Sequence, residues 1–429
     1  MNLMKYLSYL RNSPLLNQLA FYSLLLSSAF IILLWSPNVS DELFSSKAKI
    51  IIYLFPWLTL WLVYSWQVVT NREHRLEIIL MVSIIILGIV NIYDSNAPSN
   101  SFKPMRVFLL TGIFPLWTAM FLITDHRRRN WFDGLCCGAL AVIASIEIIT
   151  WLFEGNYGPK VWQVFVLHAI PLGTLIILLS PGPMRLLISK NFQAKLLGWL
   201  VVLAGAIPIF LTHKRGTWLT LAAMLAMGMI YLLRRHRYLI VTLLLIFALF
   251  MALQIQRRLT HLDPNIPRYV SVLHRLELYN FALHVWKAHP ITGIGLRSFT
   301  LDQYLHDYQL HNKELHDFPQ AVSTLHTLDN MLLTSLVELG SLMTFLYLGL
   351  ILIILVRFGR KLWAAPESPT LEWYRMLVLL GFAIHSLSYD SLLFPPVNWV
   401  FHVQLGIMAG YHVCEKGLDC VTGRRQGAC

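Results

Sequence analysis

Apolar residues in this chain come in long runs divided by short polar ones, and at twelve places the run reaches about 17 to 25 residues, enough to cross ~30 Å of hydrocarbon as a helix. The runs centre near Phe21, Trp57, Ile85, Leu116, Ile143, Leu172, Val202, Met224, Leu245, Phe345, Leu380 and Leu405. This pattern predicts an all-α polytopic membrane protein with about 12 transmembrane helices. The first run, Leu15 to Trp35, exceeds a signal-peptide core and carries no small-x-small cleavage pattern, so it is expected to remain as a span.

The first nine spans follow one another through short connections, and no period of 20 to 50 residues repeats. One polar stretch breaks the rhythm: the 70 residues from Gln256 to Leu325 separate spans nine and ten. Connections of that length usually carry a role. Within it, Ser271 to Ala288 predicts a helix, stopped by His289-Pro290 and a Gly293-Ile294-Gly295 turn. The expected organisation is therefore a bundle of nine spans over residues 1–255, a small loop subdomain over 256–325, three further spans over 326–414, and a tail over 415–429. No pair of Gly/Pro-broken half-helices stands in matching positions, which weighs against a transporter built from inverted repeats.

Composition agrees with the class. The chain is 56% hydrophobic and 13% charged over 429 residues, with a mean hydropathy of +0.59, and a soluble protein of this length would not tolerate that balance. Charge then sets orientation. Arg127-Arg128-Arg129, Arg234-Arg235 with Arg237, Arg357 with Arg360-Lys361, and Arg424-Arg425 fall in alternate connections, which predicts both termini on the cytoplasmic side and the long stretch on the outer side of the membrane. The net charge of +12 and pI near 9.5 largely reflect these clusters, which suit anionic membrane lipids and not nucleic acid. The five cysteines include an adjacent pair inside a span, Cys136-Cys137, and three at or beyond the last span, so no disulfide framework is expected.

Outward-facing connections normally lack Lys and Arg, and Lys214-Arg215 departs from that rule. A guanidinium at the membrane boundary suits a bidentate grip on phosphate oxygens, although position alone allows simple snorkelling to lipid phosphate. In the loop helix, Arg275 shares a stripe with Tyr279, Ala282 and Trp286, where it either faces a ligand or makes a cation–π or ionic contact that stabilises the loop. Just before the tenth span, His326 stands one turn ahead of Asp329 and Asn330, a spacing that lets a carboxylate orient the imidazole as a base. Eight of the 16 histidines lie between Gln256 and His326, but their spacing places no metal site, and no D-x-D pair stands on the outer face. Neither a metal nor another cofactor is expected. Glu147 and Asp390 are expected toward the outer ends of their spans, and apart from Glu147, His168 and His385 the span interiors read as nearly uncharged.

The order Lys214-Arg215-Gly216, then His274-Arg275-Leu276, Trp286 and His289-Pro290-Ile291-Thr292-Gly293-Ile294-Gly295-Leu296, then Asp329-Asn330 and Glu338-Leu339-Gly340, resembles the O-antigen ligase and polymerase superfamily. The resemblance runs over residues 210 to 345. It implies a metal-independent membrane glycosyltransferase that takes a glycan from undecaprenyl diphosphate on the periplasmic face, with Arg215 and Arg275 holding the diphosphate. Lys214 and Arg297, which follows the Gly-Ile-Gly turn, are further diphosphate candidates. The family reads His-Asn before the following span where this chain has Asp329-Asn330, so His326 and Asp329 both stand as candidate catalytic base. The expected acceptor is lipid A–core or another glycan. A polymerase of the same superfamily, using a lipid-linked acceptor, is the alternative, with a protein O-oligosaccharyltransferase and a lipid or drug transporter further off.

Overall fold

The computed structural model describes residues 14–34, 50–59, 73–95, 98–154, 169–211, 267–298, 330–364, 370–387 and 389–411, with the isolated positions Thr217, Trp218, Thr220, Leu221, Met224, Tyr304 and Leu328. Among the described residues every regular element is helical. In chain order they are α1 (Pro14–Leu34), α2 (Ile50–Thr59), α3 (Arg75–Asp94), α4 (Pro98–Phe108), α5 (Phe114–Leu122), α6 (His126–Glu154), α7 (Ala169–Leu179), α8 (Pro181–Leu187), α9 (Phe192–Leu211), α10 (Pro267–Ala288), α11 (Met331–Ala364), α12 (Thr370–Ser386) and α13 (Pro395–Ala409).

Described helices run through ten of the twelve predicted centres; the flanks of Met224, and Leu245, lie outside the described residues. Among the described residues, six segments are long and apolar enough to cross a membrane: Leu15–Leu33, Arg75–Asp94, Pro98–Leu122, His126–Phe153, Phe192–Phe210 and Met331–Ala364. Their apolar side chains face outward as well as inward. Leu196, Leu200 and Leu203 of α9, and Ile79, Ile86 and Ile89 of α3, are all exposed. In water that surface would drive association, whereas against lipid tails it carries no penalty.

At the centre stands α13, every one of whose 15 residues is buried. At 1.5 Å per residue it is only ~22 Å long, too short to span alone. Pro395 and Pro396 start it, where a missing N–H costs nothing and the fixed φ favours the first turn. It packs against α5, α11, α7 and α1. Two of its polar side chains bond to neighbours: Trp399 Nε1 donates to Ser28 Oγ at 2.9 Å, and His402 donates from Nδ1 to the Asn398 carbonyl at 2.7 Å, leaving Nε2 to accept from Tyr347 Oη at 2.9 Å.

The basic clusters of α6 and α11 share one end of the bundle. Arg129 stacks over the Tyr411 ring at 4.7 Å, and Lys361 donates to the Tyr411 carbonyl at 2.9 Å. Helix α3 runs antiparallel to α11, with Arg357 paired to Glu77 at that end and Asn91 bonded to the Glu338 carbonyl at the other.

The bundle also buries ionisable groups that the hydropathy of the spans does not reveal. Arg375 of α12 is fully buried, donating from Nη2 to both oxygens of Asp133 in α6, at 2.9 and 3.1 Å, and from Nε to Glu372 at 3.2 Å. Its Nη1 bonds Gln404 of α13, and Arg129 closes the set on Glu372 at 3.4 Å. Two cations and two carboxylates cancel, which is how such groups persist away from water. Each sits near a helix end, so the hydropathy of the span hides it.

Candidate functional site

The turn after α10 and the start of α11 form one joint. Helix α11 is broken at Gly340, which adopts φ 74° and ψ 170°. A break frees backbone groups that, away from water, need protein partners. The Pro290–Gly295 segment provides them. Ser341 N–H donates to the Pro290 carbonyl at 2.9 Å and Leu342 N–H to that of Ile291 at 3.4 Å, while Ile294 and Gly295 donate back to the carbonyls of Val337 and Glu338, both at 3.0 Å. Asn91 Nδ2 ties α3 into the same point through the Thr292 carbonyl at 2.6 Å and the Glu338 carbonyl at 2.9 Å. Ser95 Oγ donates to the Ile294 carbonyl at 2.9 Å, and Trp286 Nε1 to Ser341 Oγ at 3.0 Å. Glycine is required on both sides. A Cβ on Gly293, at φ 72°, would lie 2.5 Å from the Glu338 oxygen and the Gly340 nitrogen, and one on Gly340 would strike the Ile291 carbonyl.

Helix α10 reaches this joint with a buried face. Leu278, Phe281, Ala282 and Val285 form a small core with Ile294, Leu328 and Val337, apart from the main one. The helix begins at Pro267, four residues before the predicted start, and ends at Ala288 as expected. Asn330 caps α11, its Oδ1 accepting from the N–H groups of Leu332 and Leu333 at 3.0 and 3.2 Å. That accounts structurally for one member of the Asp329-Asn330 pair.

Directly beyond the joint lies a cavity of about 400 Å³, between α4, the first two turns of α11 and the start of α13. Lys103, Arg106 and Arg297 stand around it. Lys103 and Arg297 are exposed and Arg106 half-buried, so the cations occupy its mouth. Glu338 and Asn398, both fully buried, form its floor with Thr334. Arg297 has φ 57°, the left-handed conformation that side chains other than glycine's rarely take, and its backbone N–H donates to Glu338 Oε1 at 2.6 Å. Glu338 Oε2 and Asn398 Oδ1 are buried acceptors with no hydrogen-bond partner among the described residues. The amide of Asn398 is oriented by chemistry: Thr111 Oγ1 donates to the Val107 carbonyl at 2.8 Å and so accepts from Asn398 Nδ2 at 2.9 Å. Thr111 belongs to the π-helical turn Leu109–Ile113 between α4 and α5, a local widening frequent near functional sites.

Of the candidate residues read from the sequence, Arg297 lines the cavity and Arg275 belongs to α10. Lys214, Arg215, His326 and Asp329 lie outside the described residues. Glu147 belongs to α6 near its C-terminal end. Asp390 stands outside the α-helices, in the connection from α12 to α13, and not toward the end of a helix as expected; it is buried behind the cavity floor and accepts from Thr334 Oγ1 at 2.6 Å. Lys103, Arg106, Glu338 as a side chain and Asn398 were not singled out by sequence reasoning. For the first two the signal existed: they open the fourth span on its predicted outer side, the same departure from the charge rule that marks Lys214 and Arg215.

Residues 200–348 match the family model described as O-antigen ligase. Over that region the chain is similar to the O-antigen ligase superfamily, as the motifs imply, and the match includes α10, the joint and the first half of α11. A search of curated proteins finds no match. With six apolar helices of spanning length among the described residues, the match supports a multi-pass membrane protein of glycosyl-transferring type.

Proposed function

We propose that the protein transfers a glycan from undecaprenyl diphosphate to a sugar hydroxyl on the periplasmic face of the inner membrane, as an O-antigen ligase acting on lipid A–core. The observation that carries this reading is the O-antigen ligase match over residues 200–348, which covers the positions of Arg215, Arg275, Arg297 and His326. In this reaction the bond between the anomeric carbon and the diphosphate oxygen breaks as the acceptor oxygen attacks from the opposite side, inverting the centre. The acceptor proton passes to His326 or Asp329. The departing diphosphate gathers negative charge, and Arg215 and Arg275, with Lys214 and Arg297, neutralise it in a site shielded from water. No metal is needed when guanidinium groups carry that load.

The test is turnover of purified protein in micelles with an undecaprenyl-diphosphate-linked glycan and lipid A–core. Arg215→Ala and Arg275→Ala are expected to lower turnover by on the order of 10²–10³-fold with unfolding temperature unchanged. Folded arginine variants that work at wild-type rate would remove the mechanism. Replacing lipid A–core with a second lipid-linked repeat separates ligase from polymerase, because only a polymerase extends it.

A further inference from the structure

The cavity beside the joint has a divided chemistry of which the diphosphate grip draws only on Arg297. Its mouth carries Lys103, Arg106 and Arg297, and none of these side chains has an ion-pair partner among the described residues. Its floor offers two buried oxygen acceptors, Glu338 Oε2 and Asn398 Oδ1, each without a donor among the described residues. Unanswered buried acceptors are costly, and they call for O–H or N–H donors from whatever enters. Three cations around one opening call for an anion. Inorganic phosphate would satisfy the mouth alone and a neutral sugar the floor alone. A sugar that carries a phosphate satisfies both, with hydroxyls donated downward and the phosphate held at the rim.

We infer that this cavity is an acceptor subsite for a phosphorylated sugar, with Lys103 and Arg106 as its specificity residues and Glu338 and Asn398 reading its hydroxyls. The inference rests on the glycosyl-transfer reading and assigns the acceptor half of it. Arg297 stands between the two halves, fixed in its left-handed conformation by the bond from its N–H to Glu338, so the residue that holds the rim is anchored to the floor. Strain retained at such a position fits a role in binding. The cavity volume of about 400 Å³ accommodates one or two sugar rings.

The experiment is equilibrium binding to purified protein in micelles at fixed ionic strength, with glucose 6-phosphate, glucose and inorganic phosphate as probes. Glucose 6-phosphate is expected to bind more tightly than either of the others. Lys103→Gln with Arg106→Gln, neutral changes at exposed and half-buried positions, should weaken it by about tenfold per cation removed. Glu338→Gln, which keeps the Oε1 acceptor for Arg297, should erase the preference for sugar phosphate over phosphate. Arg215→Ala should leave glucose 6-phosphate binding unchanged; equal loss there would place the cavity in the carrier-diphosphate grip and overturn the separate subsite. Displacement by phosphatidylglycerol added to the micelle would mark a lipid headgroup site and overturn it too, as would wild-type affinity in the double variant or no binding of the sugar phosphate. Binding is read without turnover, so this proposal and the transfer reaction fail independently.

Discussion

Gly340→Ala should destabilise the protein by about 3 kcal/mol or more and abolish its transfer activity. A φ of 74° with ψ of 170° lies in a region essentially reserved for glycine, and holding alanine there costs ~1–3 kcal/mol. The new methyl group also collides with the Ile291 carbonyl, so the Pro290–Gly295 segment must withdraw and its hydrogen bonds to α11 weaken, each contributing ~1 kcal/mol. Withdrawal moves Arg297 and the N–H that binds Glu338, so binding and stability fall together. Gly349→Ala is the control on the same helix. Nothing lies within 4 Å of its Cβ position, and alanine there should be neutral or stabilise by up to ~1 kcal/mol. Thermal unfolding in detergent measures both, and a Gly340→Ala protein as stable as Gly349→Ala would refute the joint.

Arg375→Met should be the most damaging single change at the opposite end of the bundle. The fully buried guanidinium answers Asp133, Glu372 and Gln404 together, and methionine keeps roughly its length while removing every donor. Two buried carboxylates then lose their chief counter-ion, a defect worth ~3–5 kcal/mol. Glu372 retains Arg129 at 3.4 Å, so the larger share of the penalty falls on Asp133. Adding Asp133→Leu should therefore recover part of the lost stability, since an apolar pair tolerates burial where a lone carboxylate does not. If Arg375→Met alone unfolds at the wild-type temperature, or the second change gives no recovery, the buried set is not what joins α6, α12 and α13.

The frame of the joint was legible because its signals are local. The helix before His289-Pro290 is written as an amphipathic run closed by a breaker, and α10 ends at Ala288 as predicted. Gly293, Gly295 and Gly340 each take the positive φ that makes glycine necessary. What the motifs do could not be read from spacing, since the pairing of Ile294 with Val337 and of Gly295 with Glu338 joins segments more than 40 residues apart through backbone atoms that every residue possesses. Lys103 and Arg106 illustrate a different failure. Their charge on the predicted outer side was visible, but a cation becomes informative only when its neighbours are known, and those neighbours, Arg297 and Glu338, come from distant parts of the chain.

The linear order of apolar and polar residues determined that this chain folds as membrane helices, which connections carry the basic clusters, and where the loop helix stops. Those properties follow from hydropathy, charge and backbone preference, each of which acts over one or two turns. Tertiary structure decided that α13 is buried on every side, that Arg375 finds Asp133 across 242 residues of sequence, and that the Gly340 break is sealed by the turn before Arg297. Such outcomes depend on which helix lies beside which, because a buried polar group is stable only against a complementary partner, and no short window of sequence contains both.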